Sequence, residues 1–266
     1  MDTYFTAVLY LLTALLGLCT GSFLNVVIYR LPNNMSLAKP ASHCTKCGYE
    51  LKWRDNIPLI SYMFLGGKCR KCKARISLRY PLVEAINAFL WILSLRVFFD
   101  WTLKGAIMSL AVAIASSLLI CIFFIDLDHM LIFNRFSIGL ALCGIVLAPI
   151  DNSVMWYDRL IGGTAGAVSF LAIYYCALVI LKKEGLGLGD VKLAAAAGLF
   201  LGWQRFILAI LIASLLGSII MLSLGAVRKE RAGTEFPFGP FMVIGIAIAA
   251  FFGTQIISLY LGLILF

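Results

Sequence analysis

Leu103–Ile125, LKGAIMSLAVAIASSLLICIFFI, carries no charge after Lys104 and ends on Asp126-Leu127-Asp128-His129. About 20 apolar residues in a helix cross the hydrocarbon core of a bilayer, so this stretch reads as a membrane span with acids at its end. Similar runs recur along the chain, from about Tyr4 to Ile28, Pro81 to Phe99, Leu131 to Ile150, Leu160 to Leu181, Phe206 to Leu224 and Phe238 to Phe266. A shorter run, Val191–Gly202, crosses only if its flanks contribute. The expectation is an all-α polytopic membrane protein of about eight transmembrane helices.

Composition agrees. Hydrophobic residues make up 62% of 266 positions and charged residues 13%, about half the charge of a soluble domain. A secretory signal would be short, N-terminal and followed by a polar domain, which is not the pattern here.

The net charge of +9 is read through the positive-inside rule rather than as nucleic-acid binding. With the polar Arg30–Arg79 loop on the cytoplasmic side, Arg135, the Lys182/Lys183/Lys192 turn and the Arg228-Lys229-Glu230-Arg231 loop fall on that side too. Of the 22 Lys and Arg, only Arg96, Lys104, Arg159 and Arg205 then lie outside. Both termini face outward. The expected division is a first span at 1–29, a cytoplasmic metal-binding domain at 30–80 and a membrane core at 81–266.

Within the loop, Cys44-x-x-Cys47 and Cys69-x-x-Cys72 are separated by 21 residues. Two such pairs match a tetrahedral four-thiolate zinc site, with Gly48, Gly66 and Gly67 beside the knuckles. A loop this small has little core of its own, so metal binding would supply much of its folding energy. Two disulfides or a redox pair are the alternatives, and a cytoplasmic setting disfavours stable disulfides. An all-cysteine site keeps no open position for catalysis. His43 is surplus to it, and Cys19, Cys121, Cys143 and Cys176 read as small apolar residues of the spans.

Acids in or beside spans call for a functional explanation, and here they are Glu84, Asp126, Asp128 and Asp190. Asp126 ends the third span and Asp190 opens the sixth, at the same side. Two carboxylates across a partly dry cleft can share one proton. The ionised one then activates water while the protonated one polarises a peptide carbonyl. The approach Gly185-Leu186-Gly187-Leu188-Gly189-Asp190 has few side chains, leaving room for a substrate backbone. A helix beginning just after Asp190 would favour its ionised form, as would Lys192. The residues alone also allow Asp128 in place of Asp126, or span-flanking caps with no catalytic role. The glycine spacing does not fit a nucleotide loop.

Several segments together resemble the bacterial type IV prepilin peptidase family, which also serves type II secretion and competence systems. They are Gly21-Ser22-Phe23-Leu24-Asn25-Val26-Val27-Ile28-Tyr29-Arg30-Leu31-Pro32, the cysteine pairs, Arg79-Tyr80-Pro81-Leu82-Val83-Glu84, Asp126 with Ile132 and Asn134, Gly187-Leu188-Gly189-Asp190-Val191-Lys192-Leu193, and Phe236-Pro237-Phe238-Gly239-Pro240-Phe241. The resemblance covers nearly the whole chain and selects Asp126 over Asp128 as partner of Asp190.

That family implies an aspartic endopeptidase of the bacterial inner membrane. It would remove short basic leaders, after a glycine, from prepilin or pseudopilin precursors at the cytoplasmic face. The resemblance also implies N-methylation of the new N-terminus with S-adenosylmethionine, although no methyl-donor pocket is recognisable in the residues. Zinc would be structural, and membrane lipids would surround the spans. Recognition of a basic leader would draw on acids such as Glu84. One departure stands out: Ile132-Phe133 replaces the family's usual Ile-Pro, which would alter the turn beside Asp126. A transporter and a non-enzymatic pilin-binding scaffold are the competing classes.

Overall fold

The computed structural model describes residues 3–182, 186–228 and 237–264. Lys183, Glu184, Gly185, Lys229, Glu230, Arg231, Phe236 and Phe266, all named above, lie outside the described residues. The described chain is helical and contains no strand, only two isolated bridges in the cysteine loop. It divides into two compact units, up to Cys121 and from Ile122 onward.

The first unit holds α1 (Thr3–Arg30), a polar loop with a single 3-10 turn at Trp53–Asp55, the short α2 (Ile60–Phe64), α3 (Arg79–Phe98) and most of α4 (Leu103–His129). Helices α1 and α3 approach closely because α1 offers two glycines to α3. A Cβ on Gly17 would stand 2.7 Å from Ala88 Cα, and one on Gly21 2.8 Å from Glu84 Cα. Small residues allow such backbone contact where lipid supplies no hydrophobic drive between helices.

A buried polar network joins α1, α3 and α4. The Asn87 amide donates to Gly17 O and to Thr20 Oγ1, each at 2.7 Å. The Ser117 hydroxyl donates to Asn87 Oδ1 at 2.7 Å and accepts from Trp91 Nε1 at 2.9 Å. Asn87 is fully buried, so its polar atoms have their partners inside the protein. Such interhelical bonds are worth ~0.6 kcal/mol each in membranes and fix which helix faces meet.

In the second unit, α4 ends and α5 (Asn134–Leu147), α6 (Trp156–Leu181), α7 (Leu188–Leu201), α8 (Trp203–Arg228) and α9 (Gly239–Ile264) follow. Helix α7 lies inside, against α5, α6, α8 and α9. Val191, Leu193, Ala194, Ala196, Ala197, Gly198, Phe200 and Leu201 are all buried. Its crossing with α6 is backbone on backbone. A Cβ on Gly162 would meet Gly198 O at 2.6 Å, and one on Gly166 would meet Ala194 O at 2.6 Å. That Gly-x-x-x-Gly step faces the small residues of α7, the packing that close membrane helices use.

The far end of α7 is closed by a charged knot. Arg159 is 2% exposed. Its guanidinium reaches the C-terminal carbonyls of α7 at Phe200 and, at 3.5 Å, Leu199, and pairs with Asp151 at 2.8 Å. Arg205 completes it, lying 3.8 Å from Asp151 and donating to Ser153 Oγ and Thr254 Oγ1 at 2.7 Å. A cation on the orphan carbonyls of a helix C-terminus opposes the negative pole there.

Among the described residues, six helices, α1, α3, α4, α6, α8 and α9, are long and apolar enough to span a membrane, which makes this a multi-pass membrane protein. Helices α5 and α7 have 14 residues each, ~21 Å at 1.5 Å per residue, short of a core of ~30 Å. Eight helices thus stand where eight spans were expected, two of them short. The stretch read as Leu131–Ile150 is trimmed at both ends. Met130 turns at φ +53° before an extended Leu131–Phe133, and the chain leaves the helix after Leu147. Only Gly202 separates α7 from α8. Its φ of +80° makes the turn, and a Cβ there would meet Val154 Cγ1 at 2.5 Å.

Candidate active site

The cysteine loop folds into two matching knuckles. Gly48 N–H donates to Cys44 O at 2.9 Å and Cys44 N–H to Tyr49 O at 2.9 Å. In the second, Lys73 N–H donates to Cys69 O at 3.0 Å and Cys69 N–H to Ala74 O at 2.8 Å. The residue after each pair's second cysteine has positive φ, Gly48 at +67° and Lys73 at +58°.

All four sulfurs lie within 4.8 Å of one another, with Cys44–Cys72 and Cys47–Cys69 each at 3.9 Å. Tetrahedral zinc with Zn–S bonds of 2.3 Å needs sulfurs ~3.8 Å apart. None of the four is in a disulfide, and the cluster is compatible with a structural metal. Backbone N–H groups lower the pKa of the Cys44 thiol, those of Lys46 and then Cys47 drawing it down to about 6. His43 stands apart, its ring facing Ala41 O at 3.1 Å.

Asp55 ties the knuckles together. It accepts from Arg70 Nε at 2.7 Å, Tyr49 Oη at 3.1 Å and Lys52 N–H at 3.2 Å. Burial would raise its pKa, but Arg70, the Lys52 N–H and the Tyr49 hydroxyl together hold it below the ordinary value.

The second unit holds the aspartates. Asp126 lies in the last turns of α4, 5% exposed, while Asp128 two residues on is exposed. Asp126 Oδ2 is buried and has no hydrogen-bond partner among the described residues. Gly239, at the start of α9, lies against it: a Cβ there would stand 2.9 Å from Asp126 Cγ and 3.3 Å from Ile132 Cδ1. Gly189 lies against the other side of Ile132, where a Cβ would be 3.0 Å from Ile132 Cβ. Asp190 follows directly, close enough for its charge to act on Asp126. The second unit thus brings the two acids to one place, with Ile132 wedged between the glycines beside them.

Asp190 does not precede its helix, as the sequence suggested, but sits in its first turn. Helix α7 starts at Leu188, so Asp190 Oδ2 accepts the Gly187 N–H at 3.1 Å while Gly187 O takes the Asp190 N–H at 3.0 Å. Neither Gly187 nor Gly189 has positive φ. Gly189 is needed for its close approach to Ile132, whereas a Cβ on Gly187 would make ordinary contact with Asp190 Oδ2 at 3.4 Å. Lys192 turns away from Asp190, its ammonium donating to Asn134 Oδ1 at 2.9 Å. Phe133 adopts φ −75° and ψ 132°, a backbone that proline would also take. The usual proline would fit this backbone without a change of φ.

Glu84 is 8% exposed and accepts the Leu59 N–H at 2.8 Å. It lines a cavity of about 880 Å³ in the first unit.

A multi-pass helical membrane protein with a four-cysteine loop and two acids drawn together beside a buried short helix is the class that fold and site define. The chain is matched at residues 15–98 by the model of the Bacterial Peptidase A24 N-terminal domain, and at residues 113–222 by that of the Type IV leader peptidase family. It is 36% identical to the prepilin leader peptidase/N-methyltransferase of Pseudomonas aeruginosa, over 94% of this chain and 93% of that one. It is 35% identical to the enzyme of that name from Aeromonas salmonicida, over 96% and 94%. A type 4 prepilin-like proteins leader peptide-processing enzyme of Escherichia coli is 39% identical, over 86% and 88%. No solved structure matches. The chain belongs to the type IV leader peptidase family.

Proposed function

We propose that this protein is a membrane aspartic endopeptidase that removes short leaders from prepilin or pseudopilin precursors, with Asp126 and Asp190 as its catalytic pair. The observation that carries the pairing is the buried, unpartnered Oδ2 of Asp126 beside a second carboxylate. Two carboxylates within reach of each other's charge favour one shared proton. Asp190, accepting a backbone N–H at the positive end of α7, is the ionised member and takes the proton of an attacking water. Asp126 holds the shared proton and donates a hydrogen bond to the scissile carbonyl oxygen. The proton gained by Asp190 can then pass to the leaving amine as the tetrahedral carbon collapses, so no covalent intermediate is needed.

Residues 1–29 act as the first span, 30–80 as the zinc-binding domain and 81–266 as the peptidase core. The four thiolates of Cys44, Cys47, Cys69 and Cys72 suit zinc, which would be structural. The distribution of Lys and Arg supports a cytoplasmic side for the loop and both aspartates in a bacterial inner membrane. Within the second unit, Asp190 and the Arg159–Arg205 knot lie toward opposite ends of α7, as that orientation requires. The names of the relatives support a second activity, N-methylation of the N-terminus that cleavage exposes. S-adenosylmethionine supplies the methyl group: the free amine forms the N–CH3 bond, and the sulfur–methyl bonding pair returns to sulfur. The amine proton lost beforehand goes to solvent.

Leader removal from a prepilin by the detergent-purified protein, followed by mass, tests this reading. A product that keeps its leader under all conditions contradicts it.

A further inference from the structure

Helix α8 turns two different strips outward. Leu211, Leu215, Ile219 and Leu222 are exposed, the bulky apolar side chains that suit contact with lipid. Beside them runs a strip of smaller residues, Ser214, Gly217, Ser218 and Met221. Their i, i+3, i+4, i+7 spacing puts them on one side of the helix. They form one wall of a groove of about 460 Å³, and Pro237, Phe238 and Phe241 at the start of α9 form the other. Phe241 lies over Gly217, where a Cβ would make ordinary contact with its ring at 3.4 Å.

The groove begins beside the acids. Phe238 is the fixed N-terminal corner of α9: its carbonyl takes the N–H groups of Phe241 and Met242 at 3.1 and 3.2 Å, and its ring centroid is 6.5 Å from that of Phe170 on α6. The next residue, Gly239, rests against the Asp126 carboxylate. From Met221 back to Ser214 the groove follows α8 for ~10 Å at 1.5 Å per residue, toward the middle of that spanning helix. No residue lining it is charged, so it offers a basic leader nothing to pair with. Its occupant is therefore the part of the precursor retained after the cut. That part continues from helix ends into the bilayer, where a single chain must be helical to satisfy its backbone.

The wall on α8 suits a helix better than an acyl chain. Small residues let two membrane helices approach closely, and hydroxyls bond from one to the other. Among the described residues, the hydroxyls of Ser214 and Ser218 have no hydrogen-bond partner. Those of Ser116 and Thr164, by contrast, bond back one turn to Val112 O and Leu160 O. Met221 adds a side chain that adapts to varied apolar surfaces. We infer that the α8–α9 groove seats the apolar membrane segment of the precursor, the part that follows the scissile bond, and so holds that bond over Asp126 and Asp190. The inference rests on the peptidase reading and names the surface by which that site holds its substrate.

The test places a photoreactive benzoylphenylalanine in the position of Met221 in the full chain, in detergent with added lipid, and supplies a prepilin. The same probe in the position of the lipid-facing Leu215 is the control. Crosslinks from the first probe are expected on precursor residues that follow the cut, and about ten-fold fewer from the second. Crosslinks from the first probe to lipid or detergent alone, to a second copy of this chain, or to the leader overturn the assignment. Kinetics give an independent reading. Ser218→Leu, which fills the groove, is expected to raise KM for the prepilin about ten-fold or more with kcat within about three-fold of wild type, the pattern of binding lost equally from ground and transition states. A KM unchanged in both Ser218→Leu and Ser214→Leu overturns the assignment, as does a fall in kcat alone. A wild type that cuts no prepilin yet gives the expected crosslinks contradicts the peptidase reading and leaves the occupant of the groove as assigned.

Discussion

Gly239 rests directly against the carboxylate of Asp126, so close that any side chain at this position would press on the acid. A Cβ there would stand 2.9 Å from Asp126 Cγ, with Ile132 closing the other side at 3.3 Å. Gly239→Ala is expected to displace a catalytic group by a fraction of an ångström while the helix itself tolerates alanine. Misplacement on that scale costs up to about 100-fold in rate. Cleavage should fall ten- to 100-fold with little change in Tm. An alanine variant with the full wild-type rate would show that Asp126 has no fixed position to lose.

Phe133 already has the backbone that proline imposes. Phe133→Pro should leave cleavage intact and stabilise the protein by about 0.4–1 kcal/mol through the unfolded chain, less whatever the Phe133–Phe136 ring contact contributes. Thermal unfolding in detergent checks this. A loss of more than 2 kcal/mol, on the order of an incompatible proline, would mean that the Phe133 N–H or ring matters more than its φ.

The crossing of α6 and α7 leaves no room at Gly198, whose Cα faces the Gly162 carbonyl. Gly198→Val should separate the helices and destabilise the protein by more than about 3 kcal/mol, the range of overpacked cores and beyond. Gly262, with open space around its Cα, is the control, and Gly262→Val should change Tm by little.

Asp55 carries a pH signature. Its pKa in the folded protein is below its unfolded value. Its contribution is therefore complete above the unfolded pKa of ~3.9 and is lost as pH falls through the folded value. Asp55→Asn should lower the unfolding temperature at pH 7, and the gap to wild type should close as pH falls below about 4. A gap independent of pH would point to lost packing in place of lost charge.

Removal of the four-cysteine metal should unfold the loop first, because the loop has so little core of its own. Metal analysis is expected to give one zinc per chain, and none in Cys69→Ser. Limited proteolysis after chelation should cut within residues 30–80 while the helices stay protected.

Much of this was legible in the sequence, and the residues explain why. Apolar length sets membrane spans, so the helices fell where expected. The cysteine spacing is local, so the knuckles followed from it. Both acids at helix ends were recognised from the cost of charge in an apolar run. Long-range contacts were less accessible. Nothing local announces that Asn87 meets Ser117, or that Gly239 covers Asp126. The Gly162–Gly166 step was a readable signal for the α6–α7 crossing, although its partner on α7 was not. Asp190 shifted from before its helix to its first turn because its own carboxylate completes the cap at Gly187. Glu84 was read as an acid at a span edge that helps recognise the leader; that the Leu59 N–H of the loop holds its carboxylate was not legible, because the contact depends on how the loop folds.

The pairing of Asp126 with Asp190 is tested most directly by mass spectrometry of a prepilin incubated with wild type, Asp126→Asn, Asp190→Asn and Asp128→Asn. Wild type and Asp128→Asn are expected to remove the leader at rates within a few fold of each other. Each of the other two should be slower by more than 1,000-fold, the order of loss when a general acid–base group is removed, while remaining folded. Leader removal by Asp126→Asn at a rate near wild type, or its loss in Asp128→Asn alone, would contradict the pairing.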